Sequence, residues 1–277
     1  MCDEKLERLK ATLLSMGRVA VAYSGGVDSA LLLRMAREVL ADDAVAIMNV
    51  TPLVPPGDEE GAVQTARSMG VEPIIIRSDP LAVPDFRRNA PDRCYVCKRV
   101  IFTAIASAAR DRGIDLVIDG SHVDDLSEDR PGLRALAELG VRSPLKEAGM
   151  GKEDVRRLAA RFSLPCADKP SGPCLATRIP FGRAIDMEAL RTVGDAEHFL
   201  IGLGFRTVRV RHHGAVARIE VPVEDIPALV GKRQLVVERL NQLGFAYVTM
   251  DLGGFRSGSM SETLGRRTGT DRPMPPE

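Results

Sequence analysis

Apolar residues in the first 160 positions follow two alternating rhythms. Short, nearly continuous apolar runs at 19–23, 44–50, 73–77 and 116–119 predict buried strands. Amphipathic stretches at 30–40, from about 58 to a stop at Gly70, at 97–112 and at 152–161 predict helices. In the second of these Ala62, Val63, Ala66 and Met69 share one face. Strands alternating with helices imply an α/β fold, a parallel sheet covered on both faces. Ligands of such sheets sit beyond the carboxyl ends of the strands. Ser24 and the run Asp119-Gly120-Ser121 both fall at such ends.

The rhythm changes after a Pro- and Gly-rich stretch between Leu164 and Pro180. A composition shift of this kind marks a domain boundary. The reading is therefore a nucleotide-binding domain over 1–165 and a smaller α+β domain over 166–267, with 268–277 expected to be a disordered tail. In the second part a helix is expected over 187–203. Alternating segments at 207–211 and 215–221 predict a β-hairpin with His212, His213 and Gly214 in its turn. A helix near 232–243 and a strand at 245–251 complete it.

Composition narrows the partners. Lys+Arg and Asp+Glu number 38 each, so no overall basic surface exists for tracking nucleic acid. With 3 Tyr, 8 Phe and no Trp, base-stacking platforms are scarce as well. The amino-terminal segment is charged and leads into an amphipathic stretch, so no signal peptide is expected. No apolar run approaches the roughly 20 residues of a membrane helix. A cytoplasmic protein with five reduced cysteines is the expectation.

Ser24-Gly25-Gly26-Val27-Asp28-Ser29 lies between a strand and a helix. Two glycines let the backbone bend and approach an anion. The following helix supplies free N–H groups and the positive end of its dipole. Ser24 and Ser29 add hydroxyls, and Asp28 is placed to cap the helix or to hold magnesium. The plain alternative is a capped strand-to-helix turn. The loop lacks the lysine of a Walker A motif. It resembles the S-G-G-x-D-S signature of the PP-loop ATP pyrophosphatases. That resemblance implies cleavage of ATP to AMP and pyrophosphate, with adenylation of a substrate oxygen.

Three cysteines and a charged strand add chemistry. Cys94 and Cys97 form a C-x-x-C pair at a helix start, among Arg93, Lys98 and Arg99. That setting suits metal or redox chemistry, against the alternative of small core residues. Cys174 follows a stiff Pro-Ser-Gly-Pro turn near Lys169 and Arg178. Cys2 and Cys166 read as a terminal residue and core filler. On the strand at 207–211, Val208 and Val210 share one face while Arg209 and Arg211 share the other, about 7 Å apart. Two such guanidinium groups make a pincer for phosphate or carboxylate. Glu220 and Arg218 belong to the same face of the partner strand, and Glu197 can approach from the preceding helix. A solvated hairpin face is the alternative.

The run from Lys169 to Gly182, K-P-S-G-P-C-L-A-T-R-I-P-F-G, resembles the cysteine loop of the LarE-type ATP-dependent sulfur transferases. Similar motifs occur at 119–125, 130–134, 140–145 and 252–258, so the likeness spans nearly the whole chain. It implies activation of a carboxylate of pyridinium-3,5-dicarboxylate mononucleotide by ATP and Mg2+, then attack by sulfur to give a thiocarboxylate for the nickel-pincer nucleotide. It also implies that Arg178, Glu197, Arg209, Arg211 and Glu220 contact substrate or metal, and that the protein is a homo-oligomer. In single-cysteine members the residue matching Cys174 surrenders its sulfur and becomes dehydroalanine. This chain resembles the three-cysteine members, in which Cys94, Cys97 and Cys174 would hold a [4Fe–4S] cluster. Zinc on the same thiols is the competing metal reading. Other PP-loop activities, a tRNA thiolase or an amide-forming ligase, and a non-catalytic nucleotide-binding module are the alternative functions.

Overall fold

The computed structural model describes residues 2–127, 131–168, 172 and 174–256. The expected tail, residues 169–171 and 173 of the Pro/Gly-rich stretch, Arg130, and Ser257 with Gly258 lie outside the described residues. The chain divides into two compact units, Met1–Pro173 and Cys174–Glu277. The division falls eight residues beyond the boundary expected at 165/166.

The first unit contains α1 (Cys2–Met16), β1 (Val19–Ala22), α2 (Val27–Leu40), β2 (Ala44–Val50), α3 (Asp58–Ser68), β3 (Ile74–Arg77), α4 (Pro84–Arg87), α5 (Arg93–Arg110), β4 (Val117–Ile118), α6 (Pro131–Glu138), α7 (Pro144–Glu147) and α8 (Lys152–Arg161). Its four strands are parallel in the order β3-β2-β1-β4. One face is covered by Leu6, Leu9 and Leu13 of α1, by α2, and by Val155, Leu158 and Ala159 of α8. The other is covered by Phe102, Ile105 and Ala109 of α5 and Leu136 of α6, against Ala20 and Ile47. Burial on both sides explains why β1 reads as an unbroken apolar run. The pairing of Val21 with Ile118 sets β1 beside β4. The loops leaving their carboxyl ends, at Ser24 and at Asp119, are therefore neighbours. Helix α5 begins four residues before the expected position, so both Cys94 and Cys97 lie in its amino-terminal turns.

The second unit contains α9 (Met187–Gly202), β5 (Arg209–His213), β6 (Val216–Glu220), α10 (Ile226–Gly231), α11 (Arg233–Gln242) and β7 (Tyr247–Met250). β5 and β6 form the expected hairpin, and β7 joins β6 in parallel after the α10–α11 crossover. Val208, Val210, Ile219 and Val221 pack with Leu200 of α9 and Leu240 of α11. The hairpin turn corrects the sequence reading. His212 and His213 are strand residues, paired with Ala217 and Val216. The two-residue turn is Gly214-Ala215, because Gly214 supplies the positive φ (+72°) that tight hairpins require. Among the described residues no helix is long and apolar enough to cross a membrane.

Candidate active site

The loop after β1 is braced from within. Ser29, 5% exposed, donates its hydroxyl to the Gly26 carbonyl (3.0 Å) and accepts from the Ser24 N–H (3.2 Å). Ser24 Oγ lies 3.1 Å from Ser29 Oγ and is itself exposed. Gly25 holds φ +75°, and a Cβ there would stand 2.3 Å from that of Ala62. Only glycine allows α3 to press so closely on the loop. Tyr23 fixes the same contact by donating to the Ala62 carbonyl (2.8 Å), and burial pushes its phenol well above the usual range. Gly26 is the N-cap residue of α2 and brings no side chain to cap that helix. Its first-turn amides and dipole are thus directed at whatever anion the loop holds.

Gly120, expected as a nucleotide contact, has a packing reason as well. A Cβ at this position would lie 2.9 Å from the Ser29 nitrogen and 3.0 Å from the Asp28 carbonyl carbon. The β4 loop therefore rests on the amino terminus of α2. Asp119 is buried and accepts from two hydroxyls, Ser121 Oγ on Oδ2 (2.5 Å) and Ser143 Oγ on Oδ1 (2.6 Å). Its carboxylate orients those serines.

Asp28 does not cap α2 through its side chain. Its two carboxylate oxygens accept from Lys152 Nζ at 2.7 and 2.6 Å. His122 Nε2 stands 3.9 Å from Asp28 Oδ1, and its Nδ1, buried and without a hydrogen-bond partner among the described residues, faces Asp124 and Asp125 at 3.8 and 3.7 Å. The backbone N–H of Lys152 donates to Asp124 Oδ2 (2.6 Å). Lys152, His122 and Ser143 are the residues that sequence reasoning missed. One signal existed for the lysine: a cation in the first turn of a helix opposes the dipole and needs a compensating anion.

A hollow of about 360 Å3 beside this loop is lined by Gly25, Gly61, Gln64, Thr65, Pro165 and Cys166. Cys166 is 4% exposed and packs in the first unit's core, as expected of core filler. A larger hollow of about 470 Å3 lies over α3 among Glu59, Glu60 and Arg67. Its carboxylates make it a poor phosphate site.

Cys94 and Cys97 occupy one turn of α5, the first exposed and the second half-buried. Gly132 of α6 packs against Lys98 and Cys94, and the Lys98 ammonium sits 4.8 Å from the Phe102 ring centre. Among the described residues no group of three or more His, Cys, Asp or Glu side chains is assembled to hold a metal.

In the second unit the expected anion face is only partly solvated: Arg209 and Arg218 keep some exposure while the groups between them do not. Arg211 is 5% exposed and Glu220 is fully buried. Arg211 Nη2 donates to Glu220 Oε2 (2.6 Å) and Nη1 to the Thr177 carbonyl (3.1 Å). Arg218 shares Glu220 at 2.9 Å. Arg178, 1% exposed, binds Glu197 through Nε (2.8 Å) and Nη2 (2.6 Å). Glu197 Oε1 also accepts the N–H of Val210 (2.9 Å), on the edge strand β5. Cys174, half-buried, sits just before the short turn Leu175–Arg178. Its carbonyl accepts from Thr177 Oγ1 (2.9 Å) and Arg178 Nη1 (3.2 Å). A rigid buried pair thus holds the cysteine backbone. Burial, then Arg178 and Arg211, push Arg209 down to about 10 against the opposing pull of Glu197 and Glu220. Arginine stays charged at neutral pH even so, and an anion bound beside it would relieve the push.

No protein-family model matches the chain. Among curated proteins, an uncharacterized protein of Synechocystis sp. (slr1717) is 40% identical over 95% of this chain and 99% of its own length. The pyridinium-3,5-bisthiocarboxylic acid mononucleotide synthase of Lactiplantibacillus plantarum is 38% identical over 94% of this chain and 95% of its own. A tRNA-specific 2-thiouridylase, MnmA, of Trichlorobacter lovleyi is 29% identical over 56% of this chain and 52% of its own.

Proposed function

We propose, from the premise that this chain belongs to the LarE-type ATP-dependent sulfur transferases of the PP-loop superfamily, that it converts a carboxylate of pyridinium-3,5-dicarboxylate mononucleotide to a thiocarboxylate for nickel-pincer nucleotide synthesis. The observation that carries the reading is the mounting of Cys174, whose carbonyl is tied to Arg178 and through it to Glu197. A sulfur that must meet one activated carbon needs such a fixed backbone, because small misplacement costs rate steeply.

The chemistry divides between the units. In the first, Ser24, Gly25, Gly26 and the α2 amides bind the phosphates of ATP, with Asp28 directed at Mg2+. Ser121 extends this cradle, oriented by Asp119. A substrate carboxylate oxygen attacks the α-phosphorus, the bond to the β-phosphate breaks, and pyrophosphate leaves with the electron pair. In the second unit Arg209, with Arg211 and Arg178 behind it, binds the anionic groups of the substrate. A sulfur nucleophile at Cys174 then attacks the acyl carbon and AMP departs. If Cys174 gives its own sulfur, its Cβ–S bond breaks with loss of the Cα proton, leaving dehydroalanine.

Cys94, exposed, and Cys97, half-buried, share a turn of α5, and these two thiols would be ligands of a [4Fe–4S] cluster whose third protein ligand the family resemblance gives as Cys174. Such a cluster, when bound, would supply a sulfide in place of the Cys174 sulfur. Anaerobically purified protein is expected to be brown and to contain iron, with colour lost in Cys94→Ala, Cys97→Ala or Cys174→Ala. A mass loss of one hydrogen sulfide at Cys174 after a single turnover would instead assign the sulfur to the protein. The activity itself is tested by pyrophosphate release that requires the pyridinium mononucleotide. Release in response to tRNA alone would move the assignment to a thiolase.

A further inference from the structure

The arginines of the second unit suit the anionic groups of the substrate, but that substrate also carries a positive aromatic ring between its two carboxylates. Guanidinium groups repel such a ring, so it needs a partner of another kind. Arg209 opens β5 opposite Glu220 of β6. Its guanidinium carbon lies 5.5 Å from the centre of the Phe255 ring. That is within reach of the attraction between a cation and an aromatic face. The Phe255 ring thus already accepts a positive group at the edge of the arginine row.

A braced turn puts the ring there. After β7 the Asp251 N–H donates to the Ile219 carbonyl (2.9 Å), and Asp251 Oδ1 accepts the Gly253 N–H (2.9 Å). Gly254 follows with φ +68°, where a Cβ would stand 2.7 Å from Val223 Cγ2. The Phe255 N–H then donates to the Val221 carbonyl (2.8 Å), just beyond the end of β6. The side chain is half-buried. A ring tied down at its backbone has little freedom left to lose on binding. Further along the row, Arg211 donates to the Thr177 carbonyl (3.1 Å), and Thr177 Oγ1 donates to the Cys174 carbonyl (2.9 Å). One line of contacts within this unit therefore runs from the aromatic face through the arginines to the cysteine backbone.

We propose that Phe255 is a specificity-determining residue of the substrate site, its face receiving the pyridinium ring while Arg209 and Arg211 hold the flanking carboxylates. The inference rests on the functional reading above. It adds to that reading the residue that tells a positively charged aromatic ring from any other carrier of the same carboxylates and phosphate. The electrostatics agree in sign. The electron-rich face of phenylalanine favours an electron-poor ring in offset stacking. The carboxylates lie in the plane of the pyridinium, where guanidinium forks pair with them. Arg209 gains as well, because burial first, then Arg178 and Arg211, press on its charge, and a carboxylate arriving beside it relieves that pressure.

The test is calorimetric titration, without ATP, of pyridinium-3,5-dicarboxylate mononucleotide and of its dihydropyridine form. Each is titrated into the full chain and into its Phe255→Leu and Phe255→Tyr variants. Reduction removes the charge and aromaticity of the ring and keeps both carboxylates and the phosphate. Phe255→Leu should weaken the pyridinium form by about 3- to 30-fold, the range of one cation–aromatic contact, and the dihydropyridine form by less than about twofold. Phe255→Tyr should keep most of the affinity. Unchanged binding of the pyridinium form in Phe255→Leu overturns the inference. An equal loss for both forms overturns it too, since Phe255 would then act by propping Arg209. Both of these results leave the functional reading standing. Should Phe255→Leu fail to fold, Phe255→Met, which also lacks an aromatic face, decides by the same comparison. If the unsubstituted protein binds neither form, the functional reading itself falls and takes this inference with it.

Discussion

The two units use the same pairing, a basic side chain on a carboxylate, under opposite conditions. Beside the phosphate loop, Lys152 and Asp28 are each more than a quarter exposed. In the second unit, Arg178 with Glu197 and Arg211 with Glu220 are at most 6% exposed. A hydrated pair gains little from its contact and can change partners. A buried pair is locked, because separating it strands a charge away from water. The first arrangement suits a site that must accept and release phosphates. The second suits a mount that must hold Cys174 and the arginine cluster still.

Breaking the locked side should produce the largest effect. Glu197→Ala leaves the Arg178 guanidinium buried and removes the acceptor of the Val210 N–H. A loss of about 3–5 kcal/mol is expected in urea unfolding. Glu197→Gln, which keeps one oxygen, should lose less. A change below about 1 kcal/mol for the alanine variant would mean that the network is not the frame of the second unit.

Gly25→Ala attacks the loop by geometry alone. The positive φ and the 2.3 Å approach to Ala62 both oppose a methyl group. The expected loss is about 2 kcal/mol, accompanied by weakened ATP binding. The double variant Gly25→Ala/Ala62→Gly should recover the clash with the Ala62 methyl and leave the backbone strain and the 2.9 Å approach to the Ala62 Cα. Equal losses in single and double variants would show that contact with the Ala62 methyl is unimportant.

Asp28→Asn sharpens the contrast from the other side. Removing a hydrated pair should change stability by no more than about 1 kcal/mol, while substrate-dependent pyrophosphate release is abolished. Full turnover in this variant would remove Asp28 from the mechanism. A stability loss as large as that of Glu197→Ala would erase the distinction between the units.

The same contrast decides what was legible in the sequence. Periodicity found β2 and α8 to the residue, because a buried parallel strand and an amphipathic helix write their burial into local composition. The phosphate loop was legible for a related reason: its two glycines and Ser/Asp helix start stand in six consecutive residues, although the approach of Ala62 that demands glycine at position 25 does not show locally. Lys152 was not, since its partner stands 124 positions away and no local pattern ties the two. Burial of Arg211 and Glu220 was also hidden. An alternating strand with arginines on one face looks the same whether that face meets water or the turn containing Thr177. A polar pair before glycine resembles a turn, so local sequence places His212 and His213 there. Gly214 and Ala215 close the hairpin alone, which leaves both imidazoles in the strand.

His212 offers the smallest and most specific probe of the second unit. Its ring lies 5.3 Å from that of Phe245, and its Nδ1 accepts the Gly214 N–H at 3.3 Å, so the folded protein uses a neutral imidazole. Burial first, then Arg183, hold its pKa below the ordinary 6.5, with Asp186 and Glu188 pulling weakly the other way. The sign follows directly. Above about pH 6.5 the imidazole is neutral in both folded and unfolded chains, and its contribution to stability is complete. As pH falls below 6.5 the unfolded chain takes up a proton that the folded one resists, and that contribution is lost through the depressed folded pKa. Thermal melting between pH 7.5 and 5 should therefore fall more steeply for the unsubstituted protein than for His212→Gln. Parallel curves would show that protonation of His212 is no harder in the hairpin than in the unfolded chain, and that Arg183 beside it is already balanced by Asp186 and Glu188.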